Sequence, residues 1–288
     1  MPRYQLVPPD SQVHQEFSRL HRLAQQQRPG SADLWNGELY AAEGGPLGQL
    51  NSDSGAIALS SERVLPYLAG PAPHDRANQA QALRTVLELS TQASMPNATP
   101  SPHTDALATG ITQVRVTTDF ETFAQRAGYP DLPPPVPQQG THAAADSLLT
   151  QASGLNKSRD ALLSELVATP VGMQFDRLAD GVVRNRLREE IPYDAGRQEA
   201  ARARLVEPML HEAWPQLPGH DAAAGRQVAD EIRSGLNSTV EELRHEHHPS
   251  GMGSAPTNTT MEGQMRFLDG QVSPTGAVAR RPSLGDGA

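Results

Sequence analysis

An α+β chain, mainly helical, is predicted by three observations. Five stretches beyond residue 140 repeat apolar residues three and four apart, the spacing of amphipathic helices. Leu34 to Leu59 is instead cut by Gly37, Gly44, Gly45, Gly48 and Gly55 into short aromatic and aliphatic pieces, a pattern of short strands and turns. Between the two regions lies DLPPPVPQQG, Asp131 to Gly140, whose prolines exclude a helix and lack ladder donors. The expected organisation is an α+β domain over 1–130, a proline-rich connector at 131–140 and a helical region over 141–248. A disordered tail is expected over 249–288, where small, polar and turn-forming residues prevail.

The first element is a helix over residues 10–27, with Val13, Phe17, Leu20 and Leu23 on one face and Asp10 or Ser11 as its cap. His14 and His21 stand two turns apart on it, with no carboxylate on that face, and read as surface or packing residues. GAIALS is a short strand. SSERVLPYLAG is a helix capped by Ser60 or Ser61 and ended by Gly70. QALRTVLELSTQASM, Gln81 to Met95, is an amphipathic helix, followed by the proline-punctuated loop MPNATPSPHT and a short helix at DALATGITQ. Past the connector, Gly154, Pro170, Pro192 and Pro218 separate the helical stretches, as in antiparallel helices joined by short loops.

Composition narrows the function. With 288 residues, a net charge of −9 and a pI near 5.6, the chain is a poor match for nucleic acid phosphates or anionic lipid. Lys157 is the only lysine among 24 basic residues, a bias that reflects genome composition more than binding. The absence of cysteine excludes disulfides, thiolate nucleophiles and cysteine metal sites. No apolar run is long enough to cross a bilayer and the start MPRYQLVPPDSQ has no secretory pattern. The expectation is a soluble cytoplasmic protein without membrane insertion, with signal-less export left open.

The helix over 81–95 carries the main functional question. Zinc peptidases place two histidines at i and i+4 on one helix, with the general-base glutamate beside the first. Here Glu88 and Gln92 hold that pair of positions and Leu89 falls where the base would be. The surrounding order also resembles the gluzincin metallopeptidases: glycine-punctuated strands, a strand ending AIALS, a short helix, ALRTVLELSTQA, then HTDALATGITQ. The resemblance covers Leu34 to Gln113 and implies a zincin-like helix pair, with Asp105 near the third-ligand position. Leucine cannot accept a proton and glutamine is a poor zinc ligand, so the implied site is vestigial and holds no cofactor. The other reading of the same residues is an ordinary half-buried helix: Arg84, Glu88 and Gln92 form a polar stripe beside apolar stripes of Leu83, Val86, Leu87 and Ala82, Leu89, Ala93.

Other clusters are less specific. His103 could add an imidazole to Glu88 and Asp105, which would give a zinc-dependent hydrolase with non-standard ligands. His245 and His248 close the last helix and are weak metal candidates, though imidazolium also suits a helix C-terminus. His211 and Glu212 lack a second histidine at the required spacing, and no G-x-S-x-G nucleophile elbow occurs. Arg184, Arg186 and Arg188 are offset by Glu189 and Glu190 and read as a solvated face with ion pairs. The leading expectation is a catalytically inactive metallopeptidase-like protein that binds a peptide or protein partner. The alternatives are the zinc hydrolase above and a helical scaffold whose contacts come from Arg184–Glu190 and the final helix.

Overall fold

A computed structural model describes residues 3–30, 32–70, 75–95, 101–136, 139–191 and 194–247. The architecture is α+β and mainly α, with a small sheet at the N-terminal end. Pro192, His248 and the expected tail over 249–288 lie outside the described residues.

The N-terminal part contains β1 (Arg3–Leu6), α1 (Gln12–Gln27), β2 (Leu39–Glu43), β3 (Gly48–Leu50), β4 (Ile57–Ser60), the single-turn α2 (Leu65–Leu68) and α3 (Arg76–Ser94). The sheet order is β1-β2-β4-β3. β2 and β4 are parallel, and both edge strands are antiparallel to their neighbours. Arg3–Leu6 is a strand that the sequence pattern does not announce, because its four side chains are all exposed and burial imposes no alternation on them. In β4, Ile57 and Leu59, two apart, join the core with Leu39 of β2. The turn before β4 depends on Gly55, whose φ is +76° and whose missing side chain would meet the Leu34 carbonyl oxygen at 2.1 Å. Ser11 caps α1 by accepting from the His14 amide.

The expected short helix at DALATGITQ is instead the 26-residue α4 (Pro102–Ala127). It begins earlier, because Ser101 and Thr104 form a reciprocal capping pair and Pro102 occupies a first-turn position where no amide donor is needed. It ends later, at Gly128, in the left-handed conformation. α5 (Gly140–Ala152), α6 (Arg159–Ala168), α7 (Gln174–Arg186), α8 (Ala195–Met209) and α9 (Ala222–His247) follow in the expected places.

At 1.5 Å per residue α4 is about 39 Å long, enough to serve two cores. Its first half, through Ala106, Leu107, Ile111 and Val114, packs with α5 to α9. Its second half, through Val116, Phe120, Phe123 and Ala124, packs with α1, α3 and the sheet. The change from one core to the other falls within α4, between Val114 and Val116, and the described residues from 3 to 247 belong to one compact unit.

Charged groups lie where the cores meet. Arg28, at the end of α1, donates from Nε and Nη2 to the Asp119 carboxylate at 2.6 and 2.8 Å, and from Nη2 to Asp160 at 2.5 Å. Arg115 is wholly buried and donates to the Ala24 carbonyl at 2.7 Å. Burial pushes its pKa down to about 10, with Asp119 opposing and Arg28 adding to the fall.

Candidate functional site

α3 starts at Asp75, whose carboxylate accepts from the Asn78 amide, and turns its apolar stripes inward. Leu83, Val86, Leu87 and Ala93 are fully buried and Leu89 is 3% exposed. Arg84, Glu88 and Gln92 face outward. Arg84 Nε donates to Glu88 Oε1 at 2.9 Å, so the carboxylate expected from the resemblance to stand at a lost ligand position is engaged in an i,i+4 ion pair.

Leu89 supports the sheet. A Cβ on Gly48 would lie 2.6 Å from Leu89 Cδ1 and 2.8 Å from Thr85 Cγ2, so β3 rests directly on this face of α3. Leu89, expected from the resemblance to stand where a base was lost, is thus a floor for the edge strand.

Gln92 and Asp105 do come together. Both line a cavity of about 370 Å³ bounded by the C-terminal end of α3, the first turns of α4, Leu34, Leu50 at the end of β3, and Val171 in a short 3₁₀ turn at Val171–Met173. Thr109 and Thr112 complete the α4 wall, one and two turns beyond Asp105. Asp105 sits in the first turn of α4, where the helix dipole favours a carboxylate. Glu88, Leu89 and His103 are not among the described residues lining this cavity.

The alternative metal site is not assembled. His103 is in the first turn of α4, not in a loop, and among the described residues no group of three or more His, Cys, Asp or Glu side chains is placed to hold a metal ion. Glu88, His103 and Asp105 therefore do not converge as ligands. An amide and one carboxylate at Gln92 and Asp105 do not fit a zinc ion, which needs imidazole or further carboxylate donors. His245 is exposed on the last turn of α9, and its expected partner His248 lies outside the described residues.

One row of residues looks chemical at first sight. His21 Nδ1 lies 3.0 Å from Ser90 Oγ and its Nε2 lies 3.1 Å from the Asp33 carboxylate. Because Asp33 only accepts, His21 donates to it from Nε2 and meets the Ser90 hydroxyl with Nδ1. Ser90 is wholly buried, so no substrate carbonyl can reach its oxygen. The row ties α1, α3 and the segment before β2 together, with Trp35 edge-on against His21 at 5.0 Å. His14 is likewise a packing residue, its Nε2 2.9 Å from the Gly37 carbonyl oxygen.

The cavity residues missed by sequence reasoning were hidden for different reasons. Thr109 and Thr112 share helical spacing with Asp105 and become legible once α4 is read from Pro102. Val171 reaches the cavity from a distant part of the chain, and no local pattern marks it. Among the described residues no helix is long and apolar enough to cross a membrane. Compared with known protein families, with curated proteins and with solved structures, the chain gives no significant match.

Proposed function

We propose that the protein is a catalytically silent, metallopeptidase-like module that binds an extended peptide at the α3–α4 cavity. The observation that supports this reading is the cavity itself. It occupies the end of the helix that resembles a gluzincin catalytic helix, and its lining offers an amide, a carboxylate and hydroxyls but no imidazole. β3 is an edge strand whose far side has no strand partner among the described residues, and Leu50 at its end forms part of the cavity wall. A peptide pairing with β3 would gain main-chain hydrogen bonds there and place one side chain in the cavity. Its chemistry ends at binding, because Leu89 offers no base and Gln92 no strong ligand.

Display selection of peptides on the full chain tests the reading. Selected peptides are expected to remain uncleaved and to lose about tenfold or more in affinity on Thr109→Trp, which fills the cavity. Equal affinity for wild type and this variant would place binding elsewhere.

A second reading, the helical scaffold, is favoured by one observation. Arg186 donates to Asn237 and Arg244 donates to the Arg186 carbonyl, so the Arg184–Glu190 segment and α9 form one surface. Truncation near Pro130 cannot separate the two readings, since it would strip the partners of Ile111 and Val114 from α4. Substitutions on α9, such as Glu241→Lys, can: the scaffold reading predicts lost partner capture with peptide binding intact.

A further inference from the structure

A second cavity, of about 490 Å³, opens between the C-terminal end of α7, the residues that follow it and the last turns of α9. Its described lining is entirely polar, and it gathers Arg186, Arg188 and Arg244 beside Glu189 and Glu190. The sequence expectation was that these charges offset one another. The structure distributes them unevenly.

Arg244 is the partnered one. Its Nη1 donates to Glu241 at 2.7 Å, its Nη2 donates to the Arg186 carbonyl at 3.0 Å, and Nε lies 3.3 Å from Glu190. That last contact lacks hydrogen-bond geometry, which leaves Arg244 Nε buried without an acceptor. Arg186 and Arg188 each donate to a neutral amide oxygen, Asn237 Oδ1 at 2.8 Å and Asn156 Oδ1 at 2.6 Å. Neither has an ion-pair partner among the described residues, whereas the adjacent Arg184 is 2.8 Å from Asp180. Burial pushes the Arg186 pKa below its ordinary value and the nearby Arg244 charge pushes it further, with Glu241 opposing. The lining sets three arginines against two glutamates, and Glu190 and Glu241 both engage Arg244, so the guanidinium donors that meet no carboxylate among the described residues are those of Arg186 and Arg188.

We propose that this cavity binds a soluble phosphate monoester, held by the free donors of Arg186 and Arg188. Guanidinium groups match phosphate oxygens through paired, charge-assisted hydrogen bonds, and a dianion would satisfy both cations where a carboxylate brings one charge. The volume exceeds that of a phosphate group and falls within the range of small-ligand pockets, leaving room for the organic part. The wall is already fixed: Asn185 Nδ2 donates to the Ala152 and Lys157 carbonyls, and Asn156 Nδ2 donates to the Arg184 carbonyl. Asn156, so anchored, and Asn237 accept from Arg188 and Arg186 and leave the remaining guanidinium donors to the ligand.

This surface is separate from the α3–α4 cavity, so its test leaves the peptide-binding reading untouched. The experiment is calorimetric titration of the full chain with phenyl phosphate and with benzoate, at ionic strength held constant with sodium chloride. The expected result is saturable one-site binding of phenyl phosphate, tighter than benzoate. Arg188→Gln, at an exposed position, and Arg186→Gln should each weaken it about tenfold. Arg226→Gln, exposed at the start of α9, should leave it unchanged. Absence of saturable binding, wild-type affinity in Arg188→Gln, equal weakening by Arg226→Gln, or benzoate binding as tightly would each overturn the proposal.

Discussion

Leu89 shows how one residue carries both the resemblance and its chemical consequence. The proposed gluzincin resemblance would put a general base at its position, and the structure puts it beneath Gly48, 3% exposed. Gly48→Ala should therefore destabilise the chain by about 1–3 kcal/mol, the usual effect of overpacking, measured by urea unfolding. Part of that loss should return in Gly48→Ala with Leu89→Val. A Gly48→Ala variant as stable as wild type would show that β3 does not rest on α3 as described. The polar stripe Arg84, Glu88, Gln92 was legible from helical spacing alone, because a half-buried helix exposes one face. The burial of Ser90 with His21 was not legible, since it depends on how α1 meets α3 across some 70 positions of sequence.

At the scale of elements, the capping chemistry decides where helices begin. Ser101 and Thr104 start α4 earlier than a reading guided by its apolar pattern places it, and Ser101→Ala should cost about 0.5–2 kcal/mol in urea unfolding. An unchanged midpoint would mean that packing alone sets the start of α4. Asp75 at the head of α3 adds a pH dependence. Hydrogen bonds from Asn78 and then Tyr67 hold its pKa below the ordinary value of 3.8. Because the folded-state pKa is the lower one, the stabilisation is complete above the ordinary value and is lost as pH falls through the folded value. The stability difference between wild type and Asp75→Ala should thus narrow below about pH 4. A difference that stays constant to pH 2 would remove Asp75 as the titrating cap. The helices beyond residue 140 were legible because each buries one stripe against its neighbours. The strand Arg3–Leu6 was not, because its side chains are exposed and its pairing partner lies in β2.

At the scale of the whole molecule, α4 contributes to both hydrophobic cores. The sequence has one tryptophan for each core: Trp35 packs beside the sheet and Trp214 is wholly buried among α4 to α9. Single-tryptophan variants Trp35→Phe and Trp214→Phe should report one shared urea transition, as a cooperative unit requires. Two separated midpoints would mean that the cores unfold independently despite their common helix. Arg28→Ala should destabilise both by about 3–5 kcal/mol, because it leaves the buried Asp119 carboxylate without its main partner. The proline-rich segment was readable as non-helical, but the sharing of a helix across it was not, because core membership of α4 changes between Val114 and Val116 with no break in the sequence pattern. The central claim, that a gluzincin-like helix has lost its chemistry, is tested most directly by the zinc content of untagged wild type and of Glu88→His/Gln92→His. This pair introduces two imidazoles at i and i+4 and leaves the buried Leu89 in place. The account predicts about one zinc per chain in the variant, with Asp105 available as a further ligand, and none in the wild type. Stoichiometric zinc in the wild type, or none in a folded variant, would contradict it.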